Sequence, residues 1–393
     1  MAGNPWSKVA LGALAVVAAA AVLVVATDEP APDPARPEPT RSADPDGATE
    51  LLGDGPAWTQ PGSPVATPGS PGVRNGLVLL QREEGRGELV LVDLRTGEPR
   101  WSLPFDSALA GSAERFAGGG ILIGNGVLVR TRTGVALLSL ETASLRWRAD
   151  VRSGAGERYV LAAANDETVL VTVGPTRGGP PRVLALDAGT GQRRWERAGL
   201  MPHGMAGGVV VGETAPGGTV AAWSTASGAT AWTLAGFASA RVALTADDDV
   251  LVEGRTDAGE PVRRVYEAND GEQLVELGDP GVGACATDGV RLIACPRANG
   301  PRDRVLQTFD VADRRTRTLS GEFRPEFVCL VGPDHVFAAS AEAYFVVARG
   351  GALVAPDLPG RPVAATEDHL LLRSDVAGDT ADPPLTSAYR LRK

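Results

Sequence analysis

The sequence predicts an all-β protein: an eight-bladed β-propeller of four-stranded blades, with seven blades as the alternative, preceded by one N-terminal transmembrane helix. Three observations predict the propeller. An eleven-residue turn-and-strand pattern recurs about every 43 residues, the length of one blade. Each copy accompanies a short β-branched run that follows a turn. Gly and Pro, at 49 and 30 of 393 residues, favour many turns over long helices. Beyond residue 50 no helical period competes with the alternation of strands and turns.

The N-terminal end reads differently. Residues 1–8 form a short cytoplasmic tail containing Trp6 and Lys8. Residues 9–26 are 18 uncharged residues, which as a helix span about 27 Å, close to a bilayer core. Lys before the run and Asp28 and Glu29 after it orient the N-terminus inward. The reading is a signal-anchor, with the rest of the chain on the extracytoplasmic side. The alternative is a signal peptide cut near Ala26, which would release a secreted protein. Residues 27–50 follow as a disordered linker; from 28 to 50 they hold six prolines, seven acids and two arginines. Such a stretch has too little apolar surface to fold. Extended at about 3.1 Å per residue it reaches on the order of 70 Å. Residues 51–393 are left for the propeller.

Its repeats are explicit. Residues 185–195 read ALDAGTGQRRW, 91–101 LVDLRTGEPRW, 222–232 AWSTASGATAW and 137–147 LLSLETASLRW. Two weaker copies lack Trp: 265–275 (VYEANDGEQLV) and 308–318 (TFDVADRRTRT). The third-place residues Asp93, Ser139, Asp187, Ser224, Glu267 and Asp310 are separated by 46, 48, 37, 43 and 43 residues. The short side chain at the third place can cap the turn, and Gly at the seventh allows positive φ. The following strand brings Trp back to bury its ring. One such unit cannot cover both its faces, so the units must stack around an axis. The 343 residues from 51 to 393 hold about eight units. The last unit, with HLLLRS at 369–374 and SAYRLRK at 387–393, lacks a closing strand. GDGPAW at 53–58 resembles a closing segment without its blade. Trp58 is therefore expected to complete the last blade.

The pattern A-x-D-x-x-T-G-x-x-x-W, complete at Ala185, Asp187, Thr190, Gly191 and Trp195, resembles the tryptophan-docking motif of PQQ-like (quinoprotein alcohol dehydrogenase-like) β-propeller repeats. The resemblance covers about residues 51–393, is strong in the four Trp-bearing units and fades after them. In that family the motif is structural. It implies docking roles for Asp93, Gly97, Trp101, Trp147, Ala185, Asp187, Gly191, Trp195, Gly228 and Trp232. The quinone enzymes of the family carry a vicinal Cys–Cys disulfide, a Ca²⁺ held by carboxylate and amide oxygens, and an Asp base.

No catalytic set emerges from the residues, so catalytic, cofactor-binding and metal residues are expected to be none. The cysteines, Cys285, Cys295 and Cys329, are not adjacent. Cys285 and Cys295 are a candidate disulfide across the Asp288-Gly289 turn. A two-residue turn there would oppose Cys285 to Leu292, off register; another pairing or buried thiols are the alternatives. His203, His335 and His369 show no metal spacing, and the last two fall at hairpin turns where a solvated ring is expected. Gly281, Gly283 and Ala286 fit G-x-G-x-x-A, but a strand follows instead of a helix. Lys occurs only at 8 and 393, which rules out a phosphate-loop lysine. Asp247, Asp248 and Asp249 read as a turn. The arginines at 263–264 and 314–317 read as solvated strand positions, or else as a partner patch. A formal net charge of −10 argues against a nucleic-acid partner.

The expectation is a membrane-anchored, extracytoplasmic, non-catalytic propeller that acts as a protein-interaction scaffold or envelope sensor, with an envelope protein as partner. The alternatives are a quinone-dependent oxidoreductase and a small-ligand or glycan binder.

Overall fold

Eight antiparallel sheets follow one another along the chain in the computed structural model. It describes residues 51–52, 55–65, 73–82, 87–109, 116–124, 126–152, 157–175, 180–214, 218–279, 283–300, 303–321, 323–341, 343–374 and 384–392. All of them belong to one unit, Pro45–Lys393. The predicted span at 9–26 and the linker at 27–50 lie outside the described residues. Among the described residues no helix is long and apolar enough to cross a membrane.

Blade 3 shows the plan. Its strands Glu157–Ala164, Thr168–Pro175, Arg182–Asp187 and Arg193–Ala198 pair in sequence order. The first strands of successive blades touch one another, for example Glu157–Ala164 with Met201–Ala206 of blade 4. They therefore line the axis, and the fourth strands lie outermost. The second and third strands are covered by the neighbouring blades on both faces. They accordingly read as near-continuous apolar runs, such as VLAL at 183–186, all buried. The outermost strand buries little except its tryptophan. Blade 1 departs from the plan: two short pieces, Ser63–Pro64 and Val73–Arg74, share the first-strand place beside Leu77–Arg82.

Eight is the blade count, and the ring closes on its N-terminal strand. Blade 8 takes Arg361–Ala365, His369–Arg373 and Leu385–Arg390 from the end of the chain. Trp58–Pro61 supplies the fourth strand, with Trp58 opposite Ala388 and Pro61 opposite Leu385. Thr59 Oγ1 and Ser387 Oγ lie 2.9 Å apart across this seam. Leu51 and Leu52 are buried with Phe337, Leu370 and Leu372 of blades 7 and 8. The Arg392 amide donates to the Leu51 carbonyl at 2.9 Å.

The repeat motif is an interblade clamp. Each docking indole donates Nε1–H to the fourth-place carbonyl of the next blade's motif. Trp58 reaches Leu94 at 2.6 Å, Trp101 Leu140 at 2.8 Å and Trp147 Ala188 at 2.8 Å. Trp195 reaches Thr225 at 2.7 Å and Trp232 Ala268 at 2.6 Å. The seventh-place glycine of the receiving motif lies against that ring. A Cβ on Gly191 (φ 72°) would sit 2.5 Å from Trp147 Cε3. Within the motif, Asp187 Oδ1 accepts from the amides of Gly189 and Thr190, and Asp187 Oδ2 from Arg194. Ala185 stands directly opposite Trp195 in the ladder.

Blade 2 has Ala143 at the seventh place, still at positive φ (55°), and Trp101 above it is the docking tryptophan left partly exposed. This suggests paired tests. Gly191→Ala should destabilise by about 2 kcal/mol through left-handed strain and overlap with Trp147. Ala143→Gly should stabilise by about 0.5–1 kcal/mol by removing that strain. Thermal melts of the two variants, moving in opposite directions, check the clamp.

Blade 5 ends the series of tryptophans, and its contact with blade 6 combines an apolar cluster of Leu251, Val265, Leu277, Ile293, Cys295 and Phe309 with buried charge. Val275 occupies the Trp place. Arg263 is only 1% exposed, and its Nη2 lies 2.7 Å from Glu253 Oε1. It also donates to the carbonyls of Pro296 and Gly283 in blade 6. This corrects the solvated assignment of Arg263: it sits on the third strand, Pro261–Glu267, whose faces are covered. Arg264, on the opposite face, pairs with Glu276 at 2.9 Å. Arg314 stands at the seventh place of blade 6 (φ 52°) and reaches back to Glu267 Oε2 at 2.9 Å. A side chain fits there because no indole from blade 5 covers the position. Arg315 and Arg317 are exposed on the outermost strand Arg315–Leu319. Blades 6 and 7 meet through an apolar cluster that includes Phe323 and Phe345, with ring centroids 5.8 Å apart.

Cys285 and Cys295 form a disulfide. The off-register expectation fails because the turn is longer than two residues. Asp288 Oδ1 accepts from the amides of Val290, Arg291 and Leu292, and the pairs are Thr287–Ile293 and Ala286–Ala294. One step further the two cysteines face each other. Cys329 stays outside the bridge.

Candidate functional site

In an up-and-down blade the first and third turns lie on one face. On that face a groove of about 920 Å³ crosses blades 8, 1 and 2. Blade 1 contributes Asn75-Gly76, both at positive φ as a tight hairpin turn requires. It also contributes the motif turn Asp93, Leu94 and Arg95, together with Arg100. Blade 2 contributes Leu140 and Glu141, and blade 8 the turn from Thr366 to His369. The groove floor is tied to ring closure: Leu94 donates its amide to Gly76 and accepts from the Trp58 indole. The Leu391 amide donates to the Asp368 carbonyl.

Four carboxylates (Asp93, Glu141, Glu367, Asp368) face two guanidinium groups (Arg95, Arg100) in this lining. The hydrogen bond from Arg100, 2.8 Å from Asp93 Oδ2, holds the Asp93 carboxyl below its ordinary range, with help from the Thr96 and Arg95 amides. The His369 ring is pushed below its ordinary value, by burial first and then by Arg390. Its Nε2 is buried without a hydrogen-bond partner. The lining holds no Ser, Cys or Lys. What it offers is polar, mostly acidic recognition over a wide opening, set on turns fixed by their own backbone bonds.

The residues singled out from the sequence fall in two places. Asp93 belongs to the groove and to a clamp. Gly97, Trp101, Trp147, Ala185, Asp187, Gly191, Trp195, Gly228 and Trp232 lie in the clamps between blades. His203, His335 and His369 occupy blades 4, 7 and 8 and do not converge. His203 Nε2 lies 3.0 Å from the buried Glu213 Oε1. His335 and His369 are not solvated turn residues; each begins a second strand and is half-buried. Asp247 and Asp248 are turn residues as read, but Asp249 begins a strand and is 2% exposed. Burial pushes its carboxyl up to about 6, against the pull of Arg314. Sequence reasoning missed the groove residues Asn75, Glu141, Thr366, Glu367 and Asp368. The available signal was topological: turns one and three of neighbouring blades share a face.

The described residues do not fit a quinone of the kind bound by the family's enzymes. The disulfide joins residues ten apart across a hairpin, not neighbours. The indoles of all five docking tryptophans are already hydrogen-bonded between blades.

The fold and its clamps define the class: a closed eight-bladed propeller of tryptophan-docked repeats. Over residues 109–282 the chain is similar to the PQQ-like β-propeller repeat family. The family model described as outer membrane protein assembly factor BamB matches residues 109–203 and 179–282. No curated protein matches the sequence. Among solved structures, quinohemoprotein alcohol dehydrogenase from Comamonas testosteroni is 12% identical, with a TM-score of 0.52 over 88% of this chain and 77% of that one. Quinohemoprotein alcohol dehydrogenase ADHIIG from Pseudomonas putida HK5 is 11% identical, with a TM-score of 0.50 over 86% and 76%. BamB from Moraxella catarrhalis is 14% identical, with a TM-score of 0.36 over 80% and 82%. For the two dehydrogenases, at these identities, the likeness is one of fold.

Proposed function

We propose that this protein is a non-catalytic interaction scaffold, or an envelope sensor of the same design, held outside the membrane by residues 9–26 and spaced from it by residues 27–50. The observation that carries the reading is the groove over blades 8, 1 and 2. It is wide, polar and mainly acidic, and it lies on a face stiffened by ring closure, which suits a basic segment of a partner protein better than a small enclosed ligand. The match to a family model described as that of an assembly factor supports the same reading.

The test is in-cell cross-linking of the full-length, C-terminally tagged chain, followed by mass spectrometry. An envelope partner should be recovered with wild type. Its recovery should fall at least tenfold when the propeller is deleted and the anchor kept, and also in the charge-reversal variant Glu141→Arg/Glu367→Arg. Equal recovery in that variant, with its melting temperature unchanged, would remove the groove from the reading. An empty pull-down together with a visible-band shift on adding PQQ would replace scaffold with cofactor chemistry.

A further inference from the structure

Asp249 begins the second strand of blade 5, directly opposite Glu267 on the third. Paired residues leave a sheet on the same face, with Cβ atoms about 5 Å apart. Leu251, two residues on and so on that face too, packs against blade 6. The two carboxyls therefore lie together on the side of blade 5 that meets blade 6. Asp249 is 2% exposed, and its Oδ2 is buried with no hydrogen-bond partner. Blade 3 has Thr168 and Asp187 at the same two places, bridged by Arg194. Blade 5 has a second acid instead, and Leu274 where that arginine would stand.

The cation comes from the neighbouring blade. Arg314 reaches Glu267 Oε2 at 2.9 Å from a turn in which it holds φ 52°, a strained conformation for a residue with a Cβ. Its ion pair with Glu267 offsets that strain. The charged groups that face Asp249 are Arg314, Asp248 in the preceding turn and Glu267. Asp270 and Glu272 lie beyond Glu267, with oxygens within 4.8 Å of one another and of Glu267. Asp310, at the base of the Arg314 turn, is engaged by Arg291 and by the amides of Ala312 and Asp313. Arg241 of the first strand Phe237–Thr245 stands at the far end, opposite Glu253.

We propose that Asp249 and the Glu267–Arg314 pair form an acid-engaged latch between blades 5 and 6. With Asp249 protonated, Arg314 rests on Glu267 and the turn side of the contact is shut. With Asp249 ionised, two adjacent carboxylates compete for one guanidinium, the strained turn loses its anchor and the contact opens. The latch stands apart from the groove and needs no partner; in the sensor reading above it would supply the variable sensed, external acidity.

The sign follows from burial. In the closed contact burial holds the Asp249 carboxyl up at about 6. Opened to water it returns toward its ordinary value near 4. The closed form binds the proton more tightly, so acid favours closure. Between about pH 4 and pH 6 the opening equilibrium constant should rise about tenfold per unit, about a hundredfold in all, and stay level above that.

Hydrogen exchange of the full-length chain, read by mass spectrometry and corrected for the intrinsic pH dependence of amide exchange, tests this. Peptides covering residues 246–251 and 311–315 should lose about a hundredfold in protection from pH 4 to pH 6, and the matching peptides of blade 3 should not. Asp249→Asn keeps the shape and cannot ionise, so its protection should not change over that range. Glu267→Gln frees Arg314 for Asp249 and should move the upper end of the window below pH 6. Protection that is independent of pH in the wild-type peptides overturns the latch. So does an undiminished fall in Asp249→Asn, because the titrating group would then lie elsewhere. If Asp249→Asn fails to fold, Glu267→Gln must shift the window or the proposal falls.

Discussion

A chain lacking residues 51–61 is expected to lose its cooperative thermal transition, or to melt at least 10 °C below wild type. The deletion strips the outermost strand from blade 8 and exposes the edge of Leu385–Arg390, an unpaired strand prone to self-association. It removes the Trp58 ring from the blade 8–blade 1 contact, where it bonds Leu94 and lies against Gly97. It also removes Leu51 and Leu52, both 4% exposed, from the apolar cluster between blades 7 and 8. These losses together exceed about 5 kcal/mol, comparable with the whole stability of an ordinary domain. Circular-dichroism melts and size-exclusion chromatography read the outcome. A peptide of residues 51–61 added in trans should partly restore the transition by pairing with the open edge. A truncated chain melting within 2 °C of wild type would contradict closure by this strand.

Trp195→Ala has the next largest effect, about 3–5 kcal/mol. The ring is 9% exposed and packs with Leu170, Val183 and Ala185 of its own blade and Val210 and Trp223 of the next. Its removal leaves a cavity between blades 3 and 4 and an unpaired Thr225 carbonyl. Trp195→Phe separates the two contributions. It keeps most of the apolar burial and loses the hydrogen bond, so about 1–2 kcal/mol is expected. Trp101→Ala should cost less than Trp195→Ala, because Trp101 is partly exposed above Ala143. Denaturant melts of the three variants should show the largest loss for Trp195→Ala. Equal losses at Trp101 and Trp195 would show that burial does not govern the clamp.

Much of this was legible in the sequence because the repeat writes its chemistry locally. A capping Asp, a positive-φ Gly and a returning Trp sit within eleven residues. A motif of that kind can be recognised before anything is known of the neighbours. The orphan closing segment around Trp58 was legible for the same reason: a lone segment, GDGPAW at 53–58, ending in Trp before the first repeat, and a last blade lacking its closing strand. Where the motif decays, local reading decays with it. Arg263 looks like a surface arginine from its neighbours in sequence, yet it is buried because blade 6 supplies carbonyls and Glu253 supplies charge. The pairing of Cys285 with Cys295 turned on how Asp288 caps its turn. The groove joins turns almost three hundred residues apart.

The sequence by itself determined the repeat, its period, the blade plan and the strand that closes the ring. Those depend on turn geometry and on apolar patterning within one unit. Only the tertiary structure decided which charges are buried, which cysteines meet and which turns share a face. Each of these is set by what a neighbouring blade places within a few ångströms, and no single repeat carries that information.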